Sequence, residues 1–180
     1  MKLLKGCLIS LIISILLILV GFYFLKNNIL TNLEASNKEV NQKWNSYISI
    51  LKERNSHLLK QNLKNDSLKY YFEKSKSINF KENSKRFEYN EYKINKFIKP
   101  DSLILSLNDS LNSNINTYNK VARKYNFYKL KFPNSFIIRK TNLNKRFKYF
   151  EIKYGSDNEE IMSKKKKKGE WIKNGGTYPM

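Results

Sequence analysis

Three aromatic residues recur at intervals of seven in the middle of the chain: Tyr118, Tyr125 and Phe132. Each is followed directly by a polar or helix-ending residue, in order Asn119, Asn126 and Pro133. Because seven residues make about two helical turns, this spacing predicts a helix that carries the rings on one face. Proline has no N–H to continue helical hydrogen bonding and restricts the residue before it, so we expect the helix to end near Phe132.

The chain contains two heptad patterns of mainly apolar residues, spaced in alternating steps of three and four. The first pattern comprises Leu30, Leu33, Asn37, Val40, Trp44, Tyr47, Leu51, Arg54 and Leu58. The second comprises Ile104, Leu107, Leu111, Asn114, Tyr118, Val121, Tyr125, Tyr128 and Phe132. It follows Pro100-Asp101-Ser102, a sequence that predicts a stop and then a helix N-cap. Two apolar stripes need partners, which favours an antiparallel bundle; an intermolecular coiled coil would show the same pattern.

The remaining segments give weaker signals. Residues 66–99 have an amphipathic pattern that predicts one long helix or two shorter ones with a loop near 79–84. The aromatic segment 147–152 is compatible with a strand or with a turn of helix. From Gly155 onward, lysines are mixed with Gly, Asn and acidic residues, which predicts a disordered basic tail at 155–180. We therefore expect an all-α protein: a transmembrane helix, an antiparallel bundle of three to four long helices at 26–154, and this tail.

Residues 7–25 form an uncharged apolar run of 19 residues. As a helix this run spans ~28 Å, close to the ~30 Å hydrocarbon core of a bilayer. A cleaved signal peptide would have a shorter apolar region of ~7–15 residues and a small-x-small cleavage site, which does not follow here. We expect an uncleaved transmembrane helix that continues into the first heptad pattern. Lys2 and Lys5, against Lys26 alone, predict that residues 1–6 lie in the cytoplasm and residues 26–180 outside it.

The chain has 35 Lys and Arg residues against 15 Asp and Glu residues, a net charge of +20. This charge is typical of proteins that bind nucleic acid or an anionic surface. It also follows from codon usage, because 24 Asn, only 2 Ala and many Lys, Ile, Tyr and Phe residues are typical of an AT-rich genome. Charge alone therefore does not identify a polyanion as the partner.

The segment 118–133, YNKVARKYNFYKLKFP, resembles the tyrosine–asparagine signature of the LemA family of bacterial membrane-anchored proteins. VNQKW at 40–44 and LKER at 51–54 resemble a second segment of that family. The resemblance covers roughly residues 1–138. The chain departs from the family pattern at Ile115, where Arg is common, and at Asn41, where an acidic residue is common. The resemblance implies an anchored helical bundle outside the cytoplasm, and it implies no catalytic mechanism.

The residues that we consider candidates for interaction are Asn119, Asn126, Lys164, Lys165, Lys166, Lys167, Lys168 and Trp171. The two asparagines either form hydrogen bonds across the bundle or make an exposed polar strip for a partner. The lysine run with its tryptophan suits anionic lipid headgroups or an acidic envelope polymer, or nucleic acid if the tail is cytoplasmic. A solvated tail without a ligand fits these residues equally well.

We predict no catalytic, cofactor-binding or metal-binding residues and no small-molecule substrate. His57 is the single histidine and Cys7 the single cysteine, so His-based triads and multi-His or multi-Cys metal sites lack their residues. The sequence contains no nucleotide-binding or hydrolase motif. The acidic residues Asp157, Glu159 and Glu160 are interpreted as a solvated patch.

These features predict a non-enzymatic, single-pass protein of the bacterial plasma membrane. Its bundle would be an interaction or scaffold module of the cell envelope, with the lipid bilayer at 7–25 and membrane or envelope proteins as partners. The alternative is a basic polyanion-binding module that acts through the lysine-rich tail on anionic lipid, envelope polymer or nucleic acid. A cryptic enzyme is a third hypothesis, which would require a pocket lined by carboxylates with perturbed pKa values.

Overall fold

The computed structural model describes residues 2–60, 66–76, 84–98, 101–155 and 158–175. All regular elements in these ranges are helical, which confirms the all-α class. The α-helices are α1 (Lys2–Lys60), α2 (Asp66–Lys76), α3 (Ser84–Phe97), α4 (Ser102–Leu130), α5 (Asn134–Ile137) and α6 (Glu159–Asn174). Two short 3₁₀ turns, Ile138–Lys140 and Asn142–Asn144, follow α5.

Helix α1 continues from the apolar run into the first heptad pattern as one helix of 59 residues. This continuity confirms the expectation that the apolar helix continues into the first heptad pattern, and no proline interrupts residues 2–60. The Ser14 hydroxyl donates to the carbonyl oxygen of Ser10 at 2.9 Å, so the helix itself satisfies this polar group within the apolar run. The helix is long and apolar enough near its N-terminus to span a membrane, by its length and composition.

The segment 66–99 contains two short helices, α2 and α3, which was one of the two predicted alternatives. These helices pack against each other. The loop predicted near 79–84 lies outside the described residues, apart from Ser84, the first residue of α3. Side chains from α1, α2, α3 and α4 meet in one apolar cluster: Leu58, Leu68, Phe72, Ile94 and Ile104. This cluster buries the apolar stripes that none of the four helices could cover alone.

Helix α4 begins and ends close to the predicted positions. The Asp101 carboxylate accepts a hydrogen bond from the backbone N–H of Ile104 at 2.8 Å, which caps the helix N-terminus. The helix ends at Leu130, two residues before Phe132. At this end, the Asn134 side-chain amide donates to the carbonyl oxygen of Tyr128 at 2.8 Å. The cap replaces a helical hydrogen bond that the chain can no longer make.

The chain divides into two compact units, each built from two stretches of sequence. The first unit combines Met1–Asn41 with Arg123–Phe147, and the second combines Gln42–Ala122 with Lys148–Met180. The buried apolar residues of the first unit include Ile29, Leu33, Val40, Tyr125 and Ile138. Those of the second include Trp44, Tyr47, Leu51, Phe87, Ile94, Leu111, Tyr118, Phe150 and Tyr154. Each unit therefore has a core of its own.

The first heptad pattern describes the buried face of α1 closely. Its members from Leu33 to Leu58 are buried except for Asn37, and Arg54 is fully buried among them. The second pattern is correct at Ile104, Leu107, Leu111, Tyr118 and Tyr125, but wrong at the other positions. The buried residues there are one position later: Ile115, Ala122 and Lys129 instead of Asn114, Val121 and Tyr128. Phe132, expected in the core, is 88% exposed.

The predicted disorder of the basic tail at 155–180 is wrong over Glu159–Asn174, which form α6. Two acidic residues lie in the first turn of this helix, where their negative charges interact favourably with the positive end of the helix dipole. Glu160 pairs with Lys164 at 2.6 Å and Lys166 with Glu170 at 3.9 Å, both four residues apart. Lysine and glutamate are also good helix formers, so a charged run of this composition is compatible with an ordered helix.

Candidate functional site

Residues 145–153, which we call the strap, have neither helix nor strand, although the sequence pattern at 147–152 is compatible with both. The strap lies along α4 and is held there by asparagine side chains. The Asn119 amide donates to the carbonyl oxygen of Phe150 at 2.6 Å and accepts from the Phe150 N–H at 3.0 Å. One side chain thus satisfies both backbone groups of one residue, as a neighbouring strand would.

The same two-bond contact occurs at intervals of seven along α4. In the second unit, Asn112 donates to the carbonyl oxygen of Tyr154 at 2.9 Å and accepts from its N–H at 2.8 Å. In the first unit, Asn126 makes the same pair of bonds with Phe147, at 2.7 and 3.0 Å. The spacing 112, 119, 126 is visible in the sequence, but Asn112 follows Leu111 and is therefore not marked by the tyrosine–asparagine repeat.

The tyrosines of the tyrosine–asparagine repeats also form hydrogen bonds with the backbone of residues 143–148. The Tyr118 hydroxyl donates to the carbonyl oxygen of Lys148 at 2.9 Å, and the Tyr125 hydroxyl donates to that of Leu143 at 2.7 Å. Burial raises the pKa of Tyr118 to about 12, since its ring is removed from water. Asn119 and Asn126 therefore bind the chain's own backbone. They do not form an exposed strip for a partner, and their bonds run to the strap and not from helix to helix.

Helix α6 is fixed in the second unit by ion pairs to two other elements. Lys165 lies 2.6 Å from a Glu88 carboxylate oxygen on α3 and 3.4 Å from one of Glu151 on the strap. Glu159, at the start of α6, accepts from Lys96 at 2.6 Å. This hydrogen bond from Lys96 lowers the pKa of Glu159, so the carboxylate stays charged at neutral pH. Lys165 is therefore a structural residue of the predicted lysine run.

A cleft of about 740 Å³ lies between the strap, α4 and α6 in the second unit, and we call it the α6 cleft. Its basic residues are Lys153, Lys164, Lys165, Lys167 and Lys168, and its apolar residues are Phe150, Ile152 and Ile161. Asn116 and Asn119 of α4 complete one side. The volume is within the range of ~300–1,000 Å³ that ligand pockets usually have. The structure thus brings Asn119 together with four of the five predicted lysines.

The three other candidate residues do not line the α6 cleft. Asn126 is buried in the first unit, and Lys166 is 80% exposed on α6. Trp171 lies in the last turn of α6, where its carbonyl oxygen accepts from the N–H of Gly175 at 2.8 Å. The lysine run therefore does not act as one continuous patch, because the helix turns its members toward different surroundings.

Two of the five lysines that line the α6 cleft form ion pairs with acidic residues of the cleft. Glu160 and Glu151 neutralise Lys164 and Lys165, through the ion pairs described above. The three remaining lysines, Lys153, Lys167 and Lys168, are exposed and form no ion pair with any residue that the structure describes. The cleft therefore carries a net positive charge at neutral pH and attracts anions.

A second polar cluster is closed to solvent. Arg54 on α1 and Glu91 on α3 form an ion pair at 3.1 Å, and both side chains are fully buried. Arg54 also donates to Asn95, and Ser75 donates to Glu91 at 3.3 Å. Burial raises the pKa of Glu91, and the neighbouring guanidinium opposes this rise. In the sequence, the one sign of this cluster is a charged residue, Arg54, in an apolar heptad pattern.

Two tyrosines extend this closed cluster. The hydroxyl groups of Tyr47 and Tyr154 share a hydrogen bond of 2.5 Å, and the Arg54 guanidinium lies 4.9 Å from the centre of the Tyr154 ring. Burial raises the pKa of both tyrosines well above the usual value of 10.0. The side chains of this cluster bond to one another, although the Arg54 Nε and Asn95 Nδ2 atoms are buried and have no hydrogen-bond partner among the described residues. We interpret the cluster as structural.

His57 lies at the surface of the second unit, where 28% of its side chain is exposed. Its Nε2 atom forms a hydrogen bond of 2.8 Å with the Asp101 carboxylate, and both side chains are partly exposed. This bond lowers the pKa of Asp101. Within the described ranges, no three His, Cys, Asp or Glu residues are grouped in a way that could hold a metal ion.

Comparison of the chain with protein-family models, with curated proteins and with solved structures finds no match. The resemblance to the LemA family therefore stays a prediction from the sequence motifs.

Proposed function

We propose that this chain is a single-pass, membrane-anchored protein whose helical domain is a non-enzymatic interaction module of the bacterial cell envelope, similar to LemA proteins. One observation carries the proposal. The large apolar side chains from Leu8 to Leu25 are 44–69% exposed, although the same helix buries one face from Ile29 onward. An apolar surface of this size calls for a covering, and a bilayer covers a helix on all sides.

The proposed arrangement places the N-terminus in the cytoplasm and the helical domain outside. Lys2 and Lys5 precede the apolar run, while Lys26 alone follows closely, and positive residues are enriched on the cytoplasmic side. In the second unit, α2, α3, α4 and the adjoining part of α1 would form the antiparallel bundle. The closed Arg54–Glu91 cluster supports a structural role for this bundle, because both side chains of its ion pair are fully buried.

Replacement of Leu16 and Leu17 with arginine tests the anchor. Each arginine costs about 2.5–3.5 kcal/mol at the centre of a membrane helix, so L16R/L17R should release the protein from carbonate-washed membranes. The matched control is Ser56→Arg/Leu59→Arg, which places two arginines at exposed positions of the same helix beyond the apolar run. Equal retention of both variants in the membrane would refute the assignment of 7–25 as the anchor.

Reporter fusions after Leu25 and after Met180 test the orientation. Both reporters should be extracytoplasmic, and a cytoplasmic reporter at either position would overturn the proposed topology. The interaction role is tested by photo-crosslinking in native membranes from Tyr89 and Phe127, which are 42% and 64% exposed. A discrete protein adduct from one position would support a specific partner surface, whereas its absence from both would count against it.

A second candidate function is binding of a polyanion through α6. It is favoured by Lys167 and Lys168 of the α6 cleft, which are exposed and form no ion pair with a residue that the structure describes. Binding of the full chain to heparin-like or nucleic acid polymers should then weaken steeply with salt, because each neutralised phosphate or sulfate releases a counterion. A shallow salt dependence would exclude this function.

A further inference from the structure

We propose that the first unit rests on the anionic surface of the bilayer, where Phe132 and Phe136 enter the lipid interface and basic residues beside them contact the lipid phosphates. Both rings belong to residues 131–144, the segment between α4 and the strap, which we call the α4 connection. The inference rests on the proposed membrane anchor, and it adds a second, peripheral contact with the same bilayer.

The C-terminal end of α4 points toward the anchor, because α4 runs antiparallel to α1. In the second unit, Trp44 and Tyr118 contact each other with 5.1 Å between their ring centres. Fourteen residues further from the anchor on α1, and fourteen residues earlier on α4, Leu58 and Ile104 share one apolar cluster. Helix α1 leads back to the apolar run in the direction of its N-terminus, so α4 approaches the apolar run in the direction of its C-terminus.

The first unit shows how close the α4 connection lies to the anchor. On α1, the buried residues of this unit extend from Val40 to Ile29, which is 4% exposed and lies about 18 Å along the helix from Asn41. The part of α4 in the same unit, from Arg123 to Leu130, is only about 10 Å long. Helix α4 therefore ends before it reaches Ile29, and the α4 connection covers that residue.

This position is at the level of the lipid headgroups. Ile29 follows Leu25, the last residue of the apolar run, by four residues, which is ~6 Å along a helix. The headgroup region adds ~5–8 Å on each side of the hydrocarbon core of a bilayer. When residues 7–25 span the core, the α4 connection therefore lies beside the headgroups.

Two rings of the α4 connection are exposed although the segment is folded. Phe132 is 88% exposed, more than any described large apolar side chain of the apolar run, and Phe136 is 64% exposed. Ile138 of the same segment is buried, and the carbonyl oxygen of Leu143 accepts a hydrogen bond of 2.7 Å from the Tyr125 hydroxyl. Exposed apolar side chains that are grouped on a folded segment mark a surface for a partner.

The charge of this region favours an anionic lipid surface over a second copy of the chain. Residues 123–147 contain eight Lys and Arg residues and no Asp or Glu. Two of the basic residues, Lys131 and Arg139, lie within the α4 connection and are exposed. Basic side chains are attracted to anionic headgroups and aromatic rings enter the interface, so the combination is typical of segments that lie on a membrane. Two copies of so basic a stretch would repel each other.

Nitroxide labels on the full chain measure the depth of these side chains in nanodiscs of equal amounts of phosphatidylglycerol and phosphatidylcholine. Because Cys7 is the single cysteine, the labels are attached in a Cys7→Ser background to Phe132→Cys, Phe136→Cys and Phe127→Cys. Phe127→Cys is the matched control: Phe127 is also 64% exposed, but it lies about 12 Å further from the anchor than Ile29. Circular dichroism establishes that the labelled variants keep their helices.

The measured quantity is the ratio of collisions with oxygen, which concentrates in lipid, to collisions with a water-soluble nickel chelate. We expect this ratio to be several-fold higher at 132 and 136 than at 127. The difference should be smaller in nanodiscs of phosphatidylcholine alone, because the basic residues lose the attraction of a net negative surface. Equal ratios at the three positions, or the same difference in both lipids, would overturn the proposal. Shielding of 132 and 136 from both reagents would show contact with protein, such as a second copy of the chain, and would also overturn it.

A further label, at Leu16→Cys, separates failure of this proposal from failure of the proposed anchor. Leu16 lies in the middle of the apolar run, so oxygen should reach its label and the nickel chelate should not. If the nickel chelate reaches the label at 16, the anchor is wrong and both proposals fail. If the label at 16 lies in lipid while those at 132 and 136 match the one at 127, the anchor is correct and only the contact of the α4 connection is refuted.

Discussion

Replacement of Asn119 with alanine should detach the strap from α4. The substitution removes two hydrogen bonds to the Phe150 backbone, of 2.6 and 3.0 Å. It also loosens the Phe150 ring, which is 4% exposed and stacks on Trp44 with 5.0 Å between ring centres. A hydrogen bond contributes about 1 kcal/mol net, and a buried backbone group left without a partner costs about 1–3 kcal/mol. We therefore expect the free energy of unfolding to fall by about 2–4 kcal/mol.

Asn116→Ala is the matched control for this substitution. Asn116 is exposed on the same helix, and it makes no hydrogen bond with any described residue. Alanine has a higher helix propensity than asparagine by about 0.5 kcal/mol at either position, so this gain cancels in the difference between the two variants. Asn119→Asp is a second probe, because its carboxylate keeps an acceptor but repels the Phe150 carbonyl oxygen. It should destabilise at least as much as alanine.

The assay is urea unfolding of the full chain in detergent, followed by circular dichroism, with hydrogen exchange of peptides that cover 145–153. Asn119→Ala should increase exchange at the Phe150 amide, whereas Asn116→Ala should not. The reasoning would be refuted if the two alanine variants differed by less than about 0.5 kcal/mol, or if the Phe150 amide kept its protection in Asn119→Ala.

Three further predictions concern the second unit. Arg54→Met should cost about 3–5 kcal/mol of stability because Glu91 is left buried without its partner, and Arg54→Met/Glu91→Met should recover most of this loss in the same unfolding assay. The hydrogen bond with His57 lowers the pKa of Asp101 below 3.8. This bond therefore stabilises the folded state above pH 3.8, and its contribution is lost as pH falls through the folded-state pKa of Asp101. His57→Ala should therefore flatten the acid side of the thermal stability profile, and an unchanged profile would contradict this. Burial raises the pKa of Tyr118 from 10.0 to about 12, so its stabilisation is complete below pH 10 and is lost as pH rises toward 12. In Tyr118→Phe, the free energy of unfolding should therefore fall less steeply between pH 10 and pH 12, by up to ~1.4 kcal/mol per pH unit. Urea unfolding at several pH values measures this slope, and an identical slope for both proteins would count against the prediction.

The second heptad pattern shows where sequence reasoning reached its limit. A strict repeat of seven assumes 3.5 residues per turn, but a straight α-helix has 3.6 and drifts by about 20° per heptad. Along α4, Tyr118 and Tyr125 stay buried on the repeat, whereas the other member of each heptad lies one position later, at Ile115 and Ala122. The first pattern keeps its register over Leu33–Leu58, so the same rule succeeded on α1.

The α6 cleft and the strap could not be predicted from local signals. The sequence predicts disorder for the lysine run, because a charged segment has little apolar surface to bury. Its order depends on Lys165 and Glu88, which are 77 residues apart in the chain. The secondary structure of the strap could not be predicted, because side chains of α4 form the hydrogen bonds with its backbone. Neither strand propensity nor helix propensity describes such a contact.

The sequence by itself determined the helical class, the uninterrupted helix α1 and, to within two residues, the ends of α4. These features depend on periodicity, the positions of proline and the capping residue Asp101, all of which act within a few residues. Only the tertiary structure decided that Asn112, Asn119 and Asn126 hold the C-terminal region, and that Lys153, Lys167 and Lys168 share one cleft with Ile152 and Ile161. These arrangements join residues that are distant in the chain, and hydrogen bonds and ion pairs form only when folding brings their atoms within about 3 Å.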